Sequence, residues 1–232
     1  MVRRTKEEAL ATRHRLLDAA ELLFQAQGVS RTSLNEIATK AGATRGAIYW
    51  HFKDKADLFN AMMERVTLPL EQALQIGLNE QVGDALGGMR NAILHSLRQM
   101  TTDAQLRRVF EVAMHQVEYV NELQAVRDRH LAMRNQCVLD IALGLRMAAR
   151  DQGVRLAIPA KVAAWGLHGL IAGLMQDWLL DTTVYDLVAT GEAVLDVYFK
   201  GLGLSPRKDV AGLDAVAGAA PAATAPAGPG TA

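Results

Sequence analysis

The residues with the clearest chemical potential lie between positions 44 and 51 of this 232-residue chain. Thr44, Arg45, Tyr49 and His51 all carry hydrogen-bond donors that suit phosphate oxygens and the edges of bases. Gly46 has no side chain, so the backbone at that position can come close to a binding partner. If a helix holds this segment, these groups project from its outward face. Their types and spacing predict a surface that binds nucleic acid.

Two short helices joined by a turn would position this surface. Ser33 and Glu36 have the spacing of a capping box, which begins a helix that Gly42 ends. Thr44 can then cap a second helix over residues 45–51. The small and apolar residues that face inward and hold the two helices together are Ile37, Ala38, Ala41 and Ile48. This spacing is typical of a helix-turn-helix, whose second helix enters the major groove of DNA.

Polar and basic residues on both sides of this hairpin are candidates for holding phosphates. The complete set of candidate DNA-binding residues is Thr32, Ser33, Thr44, Arg45, Gly46, Tyr49, Trp50, His51, Lys53 and Lys55. A plain helical hairpin with a polar surface is the alternative. The coincidence of capping box, turn glycine, apolar contacts and basic rim favours DNA binding.

Composition and charge agree with a globular DNA-binding protein in a reduced, cytosolic setting. Half of the residues are hydrophobic, and the single cysteine, Cys137, excludes a disulfide framework and a cysteine-based zinc site. Residues 1–55 carry a net charge of +4 and the rest of the chain −4, which indicates an anionic partner for the first segment. No secretory signal is visible, and the nearly uncharged stretch 162–176 is too short to cross a bilayer comfortably. We therefore expect a cytoplasmic protein without a membrane contact.

Enzymatic and metal chemistry find less support in the sequence. The patterns GxGxxG, GxxxxGK, GxSxG and HExxH are absent. Glu111, His115, Glu118 and Glu122 follow one helix face and could ligate a metal, although a solvated polar face has the same pattern. Cys137 lies in an apolar stripe, so we expect a small buried side chain, with a redox-sensing thiol as the alternative. We expect no metal and no cofactor.

Apolar periodicity predicts helices almost throughout, so the predicted fold class is all-α. We divide the chain into a helix-turn-helix DNA-binding domain, the head (1–55), and a larger helical ligand-binding and dimerisation domain, the body (56–205). The remainder, 206–232, is an Ala/Gly/Pro-rich tail. Because 18 of its 27 residues are Ala, Gly or Pro, we expect the tail to be disordered.

Four local signals in and just after the head concern where helices begin and end. Residues 5–8, Thr-Lys-Glu-Glu, have the pattern of a capping box, and Gly28 is placed to end the first helix. Asp54 can cap the fourth helix. Pro69 lies inside that fourth pattern, where it either forms a hinge between head and body or marks a helix end at Leu68.

From Leu16 to Leu58 the sequence resembles the N-terminal domain of TetR-family transcriptional repressors. The residues that carry the resemblance are Ala19-Ala20, Leu23-Phe24, Gly28, Thr32-Ser33-Leu34, Ile37-Ala38, Ala41-Gly42, Gly46 to Phe52, Lys55 and Leu58. The segments MVRRTKEEA and TRGAIYWHF are similar to the AcrR-like subgroup, which represses multidrug efflux pumps. The resemblance implies a three-helix DNA-binding head, a helical ligand-binding body and a homodimer formed by the last two helices. It also implies release from DNA when a small molecule binds.

Helical phase, together with the position of matching helices in that family, gives a set of candidate ligand contacts. A pocket between long helices is lined mainly by apolar groups with a few polar anchors. The apolar candidates are Val66, Ile93, Leu97, Phe110, Met114, Cys137, Ile141, Ile171 and Met175. The polar candidates are His115, Arg134, His168 and Gln176.

Three glycines between residues 163 and 180 indicate close helix packing. Gly166, Gly169 and Gly173 fall near one helix face, and each costs up to about 1 kcal/mol relative to Ala inside a helix. A dimer interface would explain them, with packing inside one protomer as the alternative, and the resemblance favours the dimer. The candidate interface residues are Trp165, Gly169, Gly173, Trp178, Leu195, Tyr198 and Phe199.

These observations together predict a homodimeric repressor that binds a palindromic operator in double-stranded DNA and is released by small lipophilic compounds. The resemblance implies multidrug efflux genes as the target. One alternative is a regulator of another pathway with a dedicated ligand, such as a fatty acyl group. Another is a helical enzyme that keeps the hairpin without its function. Binding to genomic DNA fragments separates the regulators from the enzyme.

Overall fold

The computed structural model describes residues 6–80, 84–118 and 121–205, and every regular element in these ranges is helical. The helices are α1 (Lys6–Gln27), α2 (Leu34–Lys40), α3 (Arg45–His51), α4 (Lys55–Glu80), α5 (Ala85–Thr102), α6 (Ala104–His115), a short 3-10 helix (Asn121–Leu123), α7 (Gln124–Asp151), α8 (Ala160–Leu180) and α9 (Leu187–Gly201). The all-α prediction is confirmed. Thr5, the first residue of the predicted capping box, and the tail 206–232 lie outside the described residues.

Local sequence signals set the boundaries of the helices in the head. The Ser33 hydroxyl accepts a hydrogen bond from the backbone N–H of Glu36 at 3.2 Å, and the Ser33 N–H donates to the Glu36 carboxylate at 2.7 Å. Gly42 turns the chain between α2 and α3 with a φ of +63°, which L side chains rarely adopt. The Thr44 hydroxyl then caps α3 by accepting from the N–H of Ala47 at 3.2 Å. The predicted capping box, turn and second cap are confirmed.

The fourth helix continues from the head into the body without a break. Asp54 caps its start by accepting from the backbone N–H of Asp57 at 2.8 Å. The helix passes through Pro69, so the alternative in which it ends at Leu68 is wrong. Proline has no backbone N–H to donate to the carbonyl of Arg65, so the helix lacks one hydrogen bond at this level.

The interior is divided between two hydrophobic clusters. The first cluster joins the three helices of the head to α4, α6 and the start of α7, and it includes Phe24, Ile48 and Val126. The second cluster lies among α5, α7, α8 and α9, and it includes Leu195. Phe110 on α6 packs against both clusters. The head therefore shares a core with part of the body, so the predicted boundary between residues 55 and 56 is not a boundary between cores.

A buried carboxylate ties the head to the body. Glu21 on α1 is 1% exposed. Its carboxylate pairs with Arg65 of α4 and, at 3.5 Å, with Arg108 of α6, and it accepts a hydrogen bond from Gln105 at 2.9 Å. Asp18, nearly one turn earlier, is exposed and pairs with Arg65 at 2.8 Å. A displacement of α4 or α6 therefore acts directly on α1.

Helices α8 and α9 pack closely along part of their length. The Tyr198 hydroxyl donates to the carbonyl of Ala163 at 2.7 Å. A Cβ atom on Gly166 would collide with that hydroxyl, so packing inside the protomer explains this glycine. Among the described residues, no helix combines the length and the apolar character needed to cross a membrane.

Candidate DNA interface and ligand-binding region

Helix α3 buries one side in the head and exposes the rest. Ile48 is fully buried, whereas Arg45 and Tyr49 are exposed and Trp50 is 73% exposed. The Arg45 guanidinium carbon lies 5.8 Å from the centre of the Tyr49 ring, and Trp50 meets His51 edge to face with 4.6 Å between ring centres. The cationic and aromatic groups therefore form one continuous outward surface.

The backbone at the start of this surface is also accessible. Thr44 and Gly46 are both exposed. A Cβ atom on Gly46 would meet the Thr44 hydroxyl at 4.0 Å, which is ordinary contact. Packing inside the head therefore does not require a glycine at position 46. The missing side chain leaves the backbone open to a binding partner.

A cleft of about 370 Å³ opens beside α3, between the loop before α2 and the loop before α4. Its lining includes Ser33, Tyr49 and Lys53, which the sequence predicted, and Arg31 and Asn35, which it missed. Thr32 and Ser33 were candidates because they flank the hairpin directly before α2. Arg31 immediately precedes them and carries a positive charge, so the same argument applies to it. The cleft brings Arg31, Lys53 and Lys55 together beside the outward face of α3, along with the carboxylates of Asp54 and Glu122. The three basic side chains suit a phosphate backbone.

The Ser33 side chain is already engaged in the cap of α2. Its hydroxyl donates to the Glu36 carboxylate at 2.7 Å. This bond, together with the bond from the Ser33 backbone N–H, lowers the pKa of the exposed Glu36 carboxyl. An ionised Glu36 at neutral pH therefore keeps the cap, and with it the edge of the cleft, in place.

Two predicted phosphate contacts, Thr32 and Lys55, line the same cleft but have buried side chains. Thr32 is 1% exposed, and its hydroxyl donates to the carbonyl of Gly28 at 2.8 Å. Lys55 is 7% exposed, and its ammonium donates to the carbonyls of Ser30 and Thr32, both at 3.1 Å. It also pairs with Glu122 at 3.3 Å. Both side chains bond to carbonyls of the loop before α2, so a contact with phosphate would require these bonds to open, and it stays a prediction.

Most of the apolar ligand candidates gather at the second cluster. Eight of the nine belong to it or pack against it: Ile93, Leu97, Phe110, Met114, Cys137, Ile141, Ile171 and Met175. Leu97 is fully buried, and a Cβ atom on Gly191 would collide with its side chain. Val66 belongs to the first cluster instead. Neither Leu97 nor Val66 is therefore placed as a pocket wall, whereas the other seven offer apolar surface between α5, α6, α7 and α8.

The four polar candidates do not form one group. Arg134 lies 5.2 Å from the centre of the Trp165 ring, and its charge acts on His168. His115 follows Glu111 by four residues, and Glu111 accepts a hydrogen bond from Gln25 of α1, so His115 is on the α1 side of α6. Gln176 is exposed on α8. Arg134 and His168 thus remain near the apolar candidates, whereas His115 and Gln176 do not.

The predicted dimer residues separate into open and buried sets. Gly169 and Gly173 are exposed, and a Cβ atom on either would meet nothing within 4 Å. Trp165 is 42% exposed and Tyr198 is half-buried. Trp178, Leu195 and Phe199 are buried in the second cluster of their own protomer, so their assignment to the interface is wrong.

Two valines add exposed apolar side chains to the same two helices, α8 and α9. Val162 lies seven residues before Gly169 and is 56% exposed, and Val197 on α9 is 71% exposed. Sequence reasoning missed both, although the seven-residue spacing of Val162 and Gly169 was available. We call Val162, Gly169, Gly173 and Val197 the open seam.

Two of the four residues weighed as metal ligands, Glu111 and Glu122, have side-chain partners within the protein. The Glu111 carboxylate accepts from Gln25 at 2.8 Å. Across the part of the chain that the structure describes, no three His, Cys, Asp or Glu side chains gather as a metal ion would require. Cys137 is a half-buried thiol beside the second cluster, consistent with a small packing residue.

Comparison with known proteins matches both parts of the chain. Residues 16–62 match the family described as bacterial regulatory proteins of the tetR family, and residues 84–203 match the C-terminal region of MAATS-type transcriptional repressors. The HTH-type transcriptional regulator TtgR of Pseudomonas putida is 36% identical over 206 residues, which cover 89% of this chain and 98% of TtgR. AcrR of Shigella flexneri is 39% identical over 193 residues, covering 81% of this chain and 87% of AcrR.

Solved structures give the same answer. The crystal structure of NalD from Pseudomonas aeruginosa superposes with a TM-score of 0.77 at 38% identity, covering 85% of this chain and 98% of NalD. The SmeT–triclosan complex has a TM-score of 0.73 at 33% identity, covering 82% of this chain and 90% of SmeT. The outward face of α3, the two matched regions and these relatives lead to one conclusion: the chain belongs to the TetR family of bacterial transcriptional regulators.

Proposed function

We propose that the protein is a homodimeric repressor of multidrug efflux genes, released from a palindromic operator by small lipophilic compounds. NalD is a secondary repressor of the MexAB-OprM multidrug efflux pump, and SmeT is the repressor of the SmeDEF pump. The similarity to both over more than four-fifths of this chain supports the same task here. A repressor acts where the chromosome is, so we place it in the cytoplasm and assign it no catalytic activity.

The observation that carries this proposal is the outward face of α3. Arg45 and Tyr49 are exposed next to each other, and Trp50 is the most exposed large apolar side chain of the described residues. A protein rarely leaves two neighbouring aromatic rings in water without a partner that covers them. Beside them, Arg31 and Lys53 at the cleft supply the positive charge that a phosphate backbone requires.

The open seam supports a homodimer. Small residues allow two helices to approach, and the exposed valines add apolar area on α8 and α9, the helices that the resemblance assigns to the dimer. A two-fold dimer presents two heads, so its operator would consist of two half-sites in inverted orientation.

The half-buried apolar residues of the body support release by a lipophilic compound. SmeT has been solved as a complex with triclosan, so a relative of this chain binds a small molecule. Compounds that bind the body more tightly when the heads are displaced from the operator spacing would shift the protein off DNA.

The test is to capture operator DNA with the purified protein. Genomic fragments that bind would be sequenced, and the affinity for the recovered site would be measured by fluorescence anisotropy in the presence and absence of a lipophilic compound. We expect an inverted repeat, located upstream of genes for an efflux pump. Failure to retain any fragment above the level of an Arg45→Ala/Tyr49→Ala double variant would contradict the proposal, and so would a site without inverted symmetry.

A further inference from the structure

The body holds a positively charged side chain on a helix face that otherwise packs into the interior. Arg134 lies four residues before Val138 and seven before Ile141, so the three share one face of α7. Val138 and Ile141 are buried in the second cluster, and Val126, about two turns before Arg134, is buried in the first. Arg134 therefore lies between the two apolar clusters.

The guanidinium of Arg134 is held in place but incompletely bonded. It stacks over the Trp165 ring at 5.2 Å, and one of its terminal nitrogens donates to the neighbouring Asn135 side chain at 3.1 Å. Its Nε atom is buried and has no hydrogen-bond partner among the described residues. The ion pairs that these residues form do not include Arg134. A buried donor without a partner costs free energy, which a ligand with an acceptor would recover.

The side chains near Arg134 combine a second donor with apolar surface. Burial and the charges of Arg134 and His130 lower the pKa of His168, so its ring is neutral at pH 7 and offers an N–H without a further charge. Ile171 and Met175 follow His168 on the same face of α8, three and seven residues later, and both pack at the edge of the second cluster. On α6, the partly buried Phe110 and Met114 pack against the same cluster.

We propose that this region binds a lipophilic carboxylate, with the carboxylate on the Arg134 guanidinium and the apolar part along α6 and α8. The inference rests on the proposed function and narrows the class of compound that releases the repressor. The guanidinium carbon lies 5.2 Å from the centre of the Trp165 ring, and the buried Nε has no partner among the described residues. A guanidinium presents its donors in one plane, which suits the two oxygens of a carboxylate. A lipophilic cation would bring a second positive charge beside Arg134, in a region of low dielectric.

Three probes with the same ten-carbon chain and different head charges test this. Decanoate, decanol and decyltrimethylammonium would be titrated into the full-length protein by calorimetry near neutral pH, below their micelle concentrations. A charge-assisted pair predicts that decanoate binds at least about tenfold more tightly than decanol, and that the cation binds most weakly. Equal binding of the three probes, tighter binding of the cation, or no binding of decanoate would overturn the inference.

Substitution of Arg134 tests whether this residue is the cause. In Arg134→Gln, the preference for decanoate over decanol should fall to within about twofold, with decanol affinity unchanged as evidence of an intact body. Arg134→Lys should retain part of the preference, because it keeps the charge but not the planar fork. Arg146→Gln, on the exposed side of the same helix, is the matched control and should behave as wild type. A preference that survives in Arg134→Gln assigns the anion to another residue and overturns the proposal.

The same titrations, repeated in the presence of operator DNA, separate this inference from the proposed function. Protein that binds its operator and is released equally well by decanol and decanoate would overturn the carboxylate site and leave the repressor proposal standing. Protein that retains no operator would overturn the repressor proposal, whatever the probes show.

Discussion

The head and the body of this protein use their polar groups in opposite ways. In the head, the buried side chains of Thr32 and Lys55 bond to the carbonyls of the loop before α2, and polar Arg45 faces solvent. In the body, the Nε atom of Arg134 and the hydroxyl of Thr67 are buried and have no hydrogen-bond partner among the described residues. Of the seven buried polar side-chain atoms without a partner among the described residues, six are in the body and one, the Ser30 hydroxyl, is in the head. The head is therefore the more completely bonded part, whereas the body retains more unused bonding capacity.

Apolar surface follows the same division. The aromatic groups that the head exposes lie on one helix, beside a cleft that contains basic side chains. The body exposes Val162 on α8 and Val197 on α9, and two glycines of α8 have open space in front of them. Under the proposed function, a second copy and a ligand would cover the apolar surface of the body, and DNA would cover that of the head. The two parts are joined by the buried Glu21, so events in the body can reach the head.

We expect the largest effect on stability from a substitution of Glu21, the buried residue that joins the head to the body. In Glu21→Ala, Arg65 and Arg108 lose a carboxylate that is 1% exposed, and breaking a buried pair costs about 3–5 kcal/mol. We expect the free energy of unfolding to fall by that amount in urea denaturation. Asp18→Ala removes the exposed partner of the same Arg65 and should cost less than about 1 kcal/mol. Equal losses in the two variants would show that the junction does not depend on the buried carboxylate.

The second-largest expected effect is a loss of dimerisation on substitution in the open seam. A carboxylate introduced by Val197→Asp would be buried between two copies, which should weaken dimerisation by about 2–4 kcal/mol. Analytical ultracentrifugation would show monomers, and operator affinity would fall with them. Val184→Asp is the matched control, since Val184 is 62% exposed but lies outside α8 and α9. A Val197→Asp protein that sediments as the same dimer as wild type would remove α9 from the interface.

The outward face of the head predicts a smaller and more selective effect. Arg45→Ala or Tyr49→Ala should weaken operator binding by about 1–3 kcal/mol if these residues contact bases. Thermal unfolding should be unchanged, because both side chains are exposed. Arg146→Ala on the body should alter neither property. A variant with wild-type operator affinity would exclude that residue from the DNA interface.

The sequence was most informative where structure is decided by near neighbours. The Ser33–Glu36 capping box, the turn at Gly42 and the cap at Thr44 each depend on residues within a few positions, and all three are found as expected. Lys55 is different, because its partner Glu122 is distant in the chain and comes close only through packing. A lysine beside a DNA-binding hairpin has the same appearance in sequence whether it faces a phosphate or a loop carbonyl.

The same limit explains the errors in the dimer assignment. Helices α8 and α9 are apolar on more than one side, so periodicity identifies the faces without telling which one packs inside the protomer. Leu195 and Phe199 belong to the second cluster, whereas Val197 between them is exposed. The three glycines divide in the same way, because Gly166 accommodates Tyr198 while Gly169 and Gly173 face open space.

The smallest expected effect separates two lysines that the sequence treats alike. Lys53 is exposed at the cleft, so Lys53→Ala should weaken specific and non-specific DNA equally and reduce the slope of log K against log salt by about one. Lys55 is buried, so Lys55→Ala should lower the melting temperature and weaken operator binding by a similar factor at every salt concentration, with the slope unchanged. The measurement is operator affinity at salt concentrations from about 50 to about 200 mM, for wild type and both variants. If Lys55→Ala reduced the slope as much as Lys53→Ala, Lys55 would leave its loop to contact a phosphate on DNA, and the bonds that make the head the more completely bonded part would not persist in the complex.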